Sequence, residues 1–181
     1  TINLAAGDYT VSNAHFNDGN AGNDKQLIFT VTLKSRNYVF AGEAAEGVTE
    51  KTFRCAKDSS NAAYEIAKAA APTNLVNVDI IQKYTITEGS ASAAGAGMPQ
   101  DAGTLSYAKK SDAAIGKVAH WEVDAVTGKV TYTLSGGAAN DTITLPVTIS
   151  STNYKDAAVS IVITLTEKNV PTVTVQDLTV T

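Results

Sequence analysis

The sequence predicts an all-β protein made of two consecutive β-sandwich modules. The 181 residues include 23 Thr and 17 Val against only 9 Leu, and β-branched side chains suit a half-buried pleated sheet. In the second half of the chain, apolar and polar residues alternate with a period of two, which is typical of strands that expose one face to solvent and bury the other. Short alternating segments between turn-forming residues are typical of sandwiches.

Four alternating segments in the second half are predicted strands. They are Val118–Asp124, Gly128–Leu134, Asp141–Ile149 and Val159–Thr166. Pro146 lies inside the third segment, and proline has no N–H to donate to a sheet ladder. We therefore expect that strand to lie at a sheet edge or to carry a bulge at Pro146.

The first half is less regular. Its predicted strands are Asp8–His15, Gln26–Leu33, Ala62–Lys68 and Val76–Ile81, and its predicted long loops are Ala41–Thr52 and Glu88–Gly103. The Ala-, Glu- and Lys-containing segment Ala62–Ala71 also suits a short helix. Module one is then a sandwich with a strand at this position, or alternatively a β-grasp fold with a helix.

The small-residue stretch Ala69–Asn74, which contains a proline, is the predicted joint between modules. Module one then spans residues 1–70 and module two spans 73–168. Residues 169–181 are predicted to begin a following repeat or to form a tail strand. A short internal repeat supports this division. Leu27–Tyr38 and Ile143–Tyr154 each contain a strand in which Thr alternates with apolar residues, then a polar turn, then Asn-Tyr.

Charge and composition exclude several classes of function. A net charge of -4 argues against nucleic acid as a partner, because phosphate backbones require a basic face. With 2 His and 1 Cys, neither a Cys/His zinc site nor an intrachain disulfide is available. No apolar run approaches the roughly 20 residues that a membrane-spanning helix needs. Residues 1–20 lack a signal-peptide pattern and begin in mid-strand, so we expect an excised fragment.

Several segments along the chain follow repeat-like patterns. They are Gly7–Ala14, Ala21–Lys25, Phe29–Leu33, Asn37–Phe40, Ala102–Tyr107, Val130–Leu134, Asn153–Asp156, Val159–Thr166 and Val170–Thr181. Together they resemble the tandem repeat modules of large bacterial cell-surface, adhesin-like proteins. The first module is similar to a YDG-type repeat whose start is truncated, the second is similar to bacterial immunoglobulin-like repeats, and the last segment is similar to the opening of a third module.

The resemblance implies two tandem immunoglobulin-like modules at the cell surface or in the cell wall. It further implies a non-catalytic spacer or stalk that serves cell adhesion, without a cofactor. The expected partners are neighbouring repeat modules of the same chain, and also a host or cell-surface glycan or protein. The alternative function is a glycan-binding module of a secreted or surface protein.

The residues available for catalysis are few. His15 and His120 are the two imidazoles, and His120 shares a predicted strand face with Glu122. Glu122 and Asp124 provide a pair of carboxylates, but their i,i+2 spacing is common on solvated strands, whereas glycoside hydrolysis needs a fixed separation across a cleft. No nucleophile motif accompanies His120. We therefore expect no catalytic residues and interpret His120 as an ordinary strand histidine.

The segment Asn17–Asp24 is rich in the oxygen ligands that calcium prefers. It departs from the EF-hand spacing and lacks the bidentate Glu. A hairpin loop that uses its Asp and Gly residues for turns is the alternative interpretation, and we expect no metal.

Two further residues have structural interpretations. Trp121 is expected in the core, because small sandwiches commonly centre their cores on one tryptophan. Cys55 has no partner or CxxC context and is expected to be a small buried hydrophobic residue.

Overall fold

Almost all of the regular structure is β-strand. The computed structural model describes residues 3–42, 48–56 and 64–168, which contain ten strands and one 3-10 helix, Ala93–Ala96. The predicted all-β class is confirmed. The chain divides into two compact units, Thr1–Ala69 and Ala70–Thr181. Within the described residues, no helix has the length and apolar character needed to cross a bilayer. The predicted repeat start or tail at 169–181 lies outside the described residues.

The first unit contains an antiparallel sheet of three strands. They are Tyr9–Phe16 (β1), Leu27–Leu33 (β2) and Glu50–Cys55 (β3), and they lie in the order β1-β2-β3. The pairing places aromatic side chains of β2 and β3 opposite each other, and the Phe29 and Phe53 rings stack with centroids 5.6 Å apart. Phe40 meets Phe53 edge-on at 5.7 Å. These rings cover part of one face of the sheet.

Local predictions for the first unit need correction. Glu50–Cys55 forms β3, although the acidic loop was expected to continue to Thr52. The predicted strand Ala62–Lys68 contributes only an isolated bridge between Ile66 and Gly22, and its first two residues lie outside the described part of the chain. The described residues Tyr64–Ala71 are not helical, so they do not form the helix of the β-grasp alternative. One sheet, rather than a facing pair, is formed by the residues described in this unit.

The second unit contains two sheets. Their strands are Val78–Lys83 (β4), Glu88–Ser92 (β5), Leu105–Lys109 (β6), Val118–Val123 (β7), Lys129–Leu134 (β8), Thr142–Ser151 (β9) and Ala157–Thr166 (β10). The first sheet has the order β4-β10-β9-β6 and the second has the order β5-β8-β7. All neighbours are antiparallel except β4 and β10, which are parallel. This arrangement is consistent with the immunoglobulin-like sandwich expected for module two.

Both sheets of the second unit contribute to one core. Alternate residues of β9 and β10 point inward and meet inward residues of β7 and β8, including Trp121, which is only 7% exposed. Each large apolar side chain that leaves water completely contributes about 1.5–3 kcal/mol. The most deeply buried are Val130, Leu145, Val147, Ile149, Ile161, Ile163 and Leu165. The prediction that Trp121 is a core residue is confirmed.

The prediction of an edge strand or a bulge at Pro146 is wrong, because β9 lies between β10 and β6 and its register with β10 runs through Pro146 without a shift. The carbonyl of Pro146 accepts from Lys110 N at 2.9 Å, on the β6 side. In a strand, the N–H and C=O of one residue point to the same side, so the missing N–H of Pro146 also faces that side. The strand β6 ends at Lys109, which pairs with Val147, so Pro146 lies just beyond the last residue pair of β6 and β9. A proline is therefore tolerated in a central strand without loss of a bond to β10.

Candidate functional site

The predicted His–carboxylate group lies on the outer face of β7. His120 is 66% exposed at its side chain, and its Nε2 is 3.5 Å from Glu122 Oε1. Lys109 Nζ donates to the same oxygen at 3.0 Å, and this hydrogen bond lowers the pKa of the Glu122 carboxyl. A depression of about 340 Å³ beside His120 is bordered by Glu88, Thr131 and Thr133, among others. The arrangement is an open, polar strand face.

Asp124 does not join this group, because it organises the hairpin turn that follows β7. Its Oδ1 accepts from Thr127 N at 2.7 Å, from Thr127 Oγ1 at 2.8 Å and from Val126 N at 3.1 Å. These hydrogen bonds lower the pKa of Asp124. The two carboxylates that the sequence places at i,i+2 thus have separate partners. His15, in the first unit, has its Nδ1 2.6 Å from the carbonyl oxygen of Asn13.

The oxygen-rich loop Asn17–Asp24 is organised by a lysine just beyond it. Lys25, only 7% exposed, places Nζ 2.5 Å from Asp18 Oδ1. The hydrogen bond from Lys25 lowers the pKa of Asp18, with a second contribution from the Asn20 N–H at 2.9 Å. Asn17 Oδ1 accepts from Gln26 N at 2.9 Å, which closes the loop. An ammonium group therefore provides the positive charge that Asp18 faces. The described residues contain no group of three or more His, Cys, Asp or Glu side chains that could hold a metal ion.

The free cysteine, Cys55, lies at the end of β3 and is half-buried. Its partner in the sheet register is Leu27 of β2. The expected buried hydrophobic environment is thus only partly realised.

The sequence did not reveal how the first and last strands of the second unit are related. β4 runs parallel to the second half of β10, with Val78 level with Ile161 and Lys83 level with Thr166. The chain therefore enters β4 and leaves β10 at points separated by the length of six paired residues, about 17 Å at 3.3 Å per residue. We call this six-residue pairing the terminal-strand pair.

Hydrogen bonds outside the ladder close the terminal-strand pair at both ends. At its beginning, Ser160 N donates to Asn77 Oδ1 at 3.0 Å. At its end, Tyr84 N donates to Thr166 O at 3.0 Å, and Lys83 Nζ donates to Glu167 O at 3.0 Å. Sliding of β4 along β10 would break these bonds together with those of the ladder.

A buried hydrogen bond links β4 to the opposite sheet. Tyr132 of β8 donates from Oη to Gln82 Oε1 at 2.7 Å, and Gln82 Nε2 donates to Ile86 O at 2.5 Å. Tyr132 is 3% exposed and Gln82 is 9% exposed, and burial raises the pKa of the Tyr132 hydroxyl. Gly89 lies directly opposite Tyr132 in the sheet register. A Cβ at position 89 would overlap Tyr132 Oη and Cζ, so glycine provides the space for the ring.

Comparisons with known proteins add little to this geometry. No protein-family description matches the sequence, and no curated protein matches it. Among solved structures, the chain is similar to the endo-fucoidan hydrolase MfFcnA4_H294Q from glycoside hydrolase family 107, with 10% identity and a TM-score of 0.30. That match covers 90% of this chain but spans only 24% of the hydrolase. A similarity of this size does not define a shared fold, and no conclusion about this chain depends on it.

Proposed function

We propose that the chain is a non-catalytic structural module of a surface-exposed bacterial protein, where it acts as a spacer or stalk in cell adhesion. The observation that carries the proposal is the terminal-strand pair. A stalk must transmit the force between the segments before and after each module. In the second unit, the chain enters and leaves through neighbouring parallel strands, so a pull on its flanks acts along both strands in opposite directions.

This direction of force makes the terminal-strand pair resistant to extension. Strands pulled in opposite directions along their axes load all their mutual hydrogen bonds together, whereas strands peeled apart from one end break them one at a time. The bonds of Asn77, Tyr84 and Lys83 add to the ladder at its two ends. The Tyr132–Gln82 bond further holds β4 against the second sheet. The force at which a protein ruptures depends on its rate of unfolding. These contacts lower that rate and so raise the rupture force.

Single-molecule force spectroscopy on two pulling geometries tests the proposal. In the first, handles at the two ends of the chain load β4 and β10 in shear. In the second, one handle at Thr85→Cys and the other at the carboxyl end of the chain peel β4 from β10, because Lys83 and Thr166 lie level. Both proteins carry Cys55→Ala so that only the intended thiol reacts. We expect the second unit to rupture at a higher force in the first geometry, and equal forces would contradict the mechanical role.

The glycan-binding alternative has its own observation, the polar depression beside His120. Its border of hydroxyl, imidazole and carboxylate groups can exchange hydrogen bonds with sugar hydroxyls. Trp121 cannot act as an aromatic platform for a sugar ring, because it is buried in the core. Calorimetric titration with soluble oligosaccharides, compared between the native chain and Thr131→Ala, tests this alternative. Saturable heat that the variant loses would favour a glycan-binding module.

A further inference from the structure

The open edge of β4 has the features of a self-association surface. β4 is the end strand of its sheet, and its outer edge pairs with no strand in the described part of the chain. Ile81, at the middle of this edge, is 79% exposed, which is the largest exposure among the large hydrophobic residues of the described strands. An exposed strand with an apolar centre is a template for pairing with another chain.

The backbone groups of three residues face this open edge. Tyr84 N–H donates to Thr166 O of β10, and the Gln82 carbonyl accepts from the Thr166 hydroxyl at 3.4 Å, so the even-numbered residues face β10. In a parallel pair, the residues between them direct both N–H and C=O to the other side. Asp79, Ile81 and Lys83 therefore present donors and acceptors along the outer edge of β4.

The side chains of the same three residues are complementary to themselves. Because Val78, Ile80 and Gln82 belong to the inner face, Asp79, Ile81 and Lys83 share the outer face. If a second copy of β4 lies antiparallel with Ile81 opposite Ile81, each Asp79 lies opposite a Lys83 of the other copy. Directly opposite residues in a hydrogen-bonded pair also exchange both backbone bonds. Opposite charges at such positions stabilise strand pairing.

We propose that this edge, defined by Asp79, Ile81 and Lys83, is a homophilic interaction surface at which two copies of the chain pair antiparallel through β4. The twofold symmetry of this pairing is that of the commonest protein dimers. It joins the two four-stranded sheets into one continuous sheet. Lys83 also donates to the backbone oxygen of Glu167. Its ammonium group keeps its positive charge in that hydrogen bond, and this charge attracts a carboxylate on the facing strand. This proposal does not depend on the mechanical role proposed above, although Lys83 contributes to both.

Sedimentation equilibrium of the whole chain, at concentrations up to about 1 mM, covers the range in which small interfaces associate. We expect a monomer–dimer equilibrium in the native chain. In the dimer, residue 79 of each copy lies opposite residue 83 of the other, so Asp79→Lys or Lys83→Asp converts both of these pairs into pairs of like charge. Each variant is therefore expected to weaken the dimer about tenfold. An equimolar mixture of the two variants restores both opposite-charge pairs, and a heterodimer of native affinity is expected.

Two further variants separate edge pairing from folding and from general charge effects. Ile81→Pro removes an N–H that faces the outer edge and leaves the bonds to β10 in place, so it should prevent dimers while circular dichroism shows a folded chain. Asp112→Lys makes the same charge change as Asp79→Lys at an exposed loop position and should leave association unchanged. A chain that stays monomeric, a mixture that does not restore the dimer, or an Asp112→Lys variant weakened as much as Asp79→Lys would each overturn the proposal.

Discussion

Replacing Gly89 with alanine tests how the second unit holds its two sheets together. The added methyl group would overlap the Tyr132 hydroxyl and ring carbon Cζ and would lie 2.8 Å from Gln82 Oε1. All three groups belong to the buried bond between β8 and β4. Tyr132 is enclosed by the core and therefore cannot move aside without disturbing its neighbours.

The expected loss of stability has two parts. Inserting a methyl group into a packed interior costs about 1–3 kcal/mol. Displacing Tyr132 also breaks its bond to Gln82, and a buried polar group without its partner costs about 1–3 kcal/mol. A shift of the Tyr132 ring that relieves the overlap is the same shift that breaks the hydrogen bond, so the two costs are not incurred in full together. We therefore expect a total loss of stability of about 2–4 kcal/mol. For a unit of this size, that corresponds to a fall in Tm of about 8–16 °C.

The single tryptophan makes the measurement specific to the second unit. Trp121 is the only tryptophan of the chain and lies in the core of that unit. Its fluorescence during urea or thermal unfolding therefore reports this unit without contribution from the first. Gly116→Ala is the matched control, because a Cβ there has no atom within 4 Å. We expect that control to change stability by less than about 0.5 kcal/mol.

Replacing Tyr132 checks the cause. In a Tyr132→Leu background, the ring that the new methyl group meets is gone, so Gly89→Ala should cost less than it does in the native chain. A coupling of this kind between contacting residues is about 0.5–3 kcal/mol. The reasoning would be refuted if Gly89→Ala and Gly116→Ala had equal stability, or if the cost of Gly89→Ala were the same in both backgrounds.

Three further predictions concern turns and titrating groups. Gly128→Ala should destabilise the second unit by about 1–3 kcal/mol, measured by Trp121 fluorescence, because position 128 has φ 68° and a Cβ there would lie 2.9 Å from the Tyr107 ring. The hydrogen bond from Lys25 lowers the pKa of Asp18. The contribution of Asp18 to stability is therefore present above the pKa of the unfolded chain and is lost as pH falls through the folded pKa. In Lys25→Met, NMR titration should show a higher pKa for Asp18. Tyr132 has a pKa raised by burial, so stability should decline as pH rises above 10.0, and Tyr132→Phe should reduce this alkaline decline.

The strands that could be predicted are those whose inward residues are large and apolar. β8, β9 and β10 alternate in this way, and their positions agree with the sequence pattern. The sequence predicts a loop at β5 because the inward residues of this strand are the small Gly89 and Ala91. Position 89 is a glycine because the Tyr132 ring occupies the space that a side chain would need. The missing signal thus has a packing cause on the neighbouring strand.

The candidate site depended on information that local patterns do not contain. The parallel pairing of β4 with β10 joins segments at opposite ends of the second unit, and no local motif marks it. In the oxygen-rich loop, the decisive residue is Lys25, one position beyond the segment that resembled a calcium loop. A lysine directly after a segment rich in carboxylate and amide oxygens is a signal that the sequence does contain. Its importance is evident once the ammonium is seen against Asp18.

The terminal-strand pair also determines how far the second unit can lengthen when it unfolds under a pull, as it would in the proposed stalk. Residues 78 to 166 lie between the two points at which force enters the second unit, and these points are about 17 Å apart while the strands stay paired. Once β4 separates from β10, that stretch becomes free chain with a maximum reach of roughly 300 Å at about 3.3–3.6 Å per residue. The second unit thus holds a length of folded chain that is released in one step. A surface protein made of such modules would dissipate a sudden pull by extension before its attachment at either end is broken.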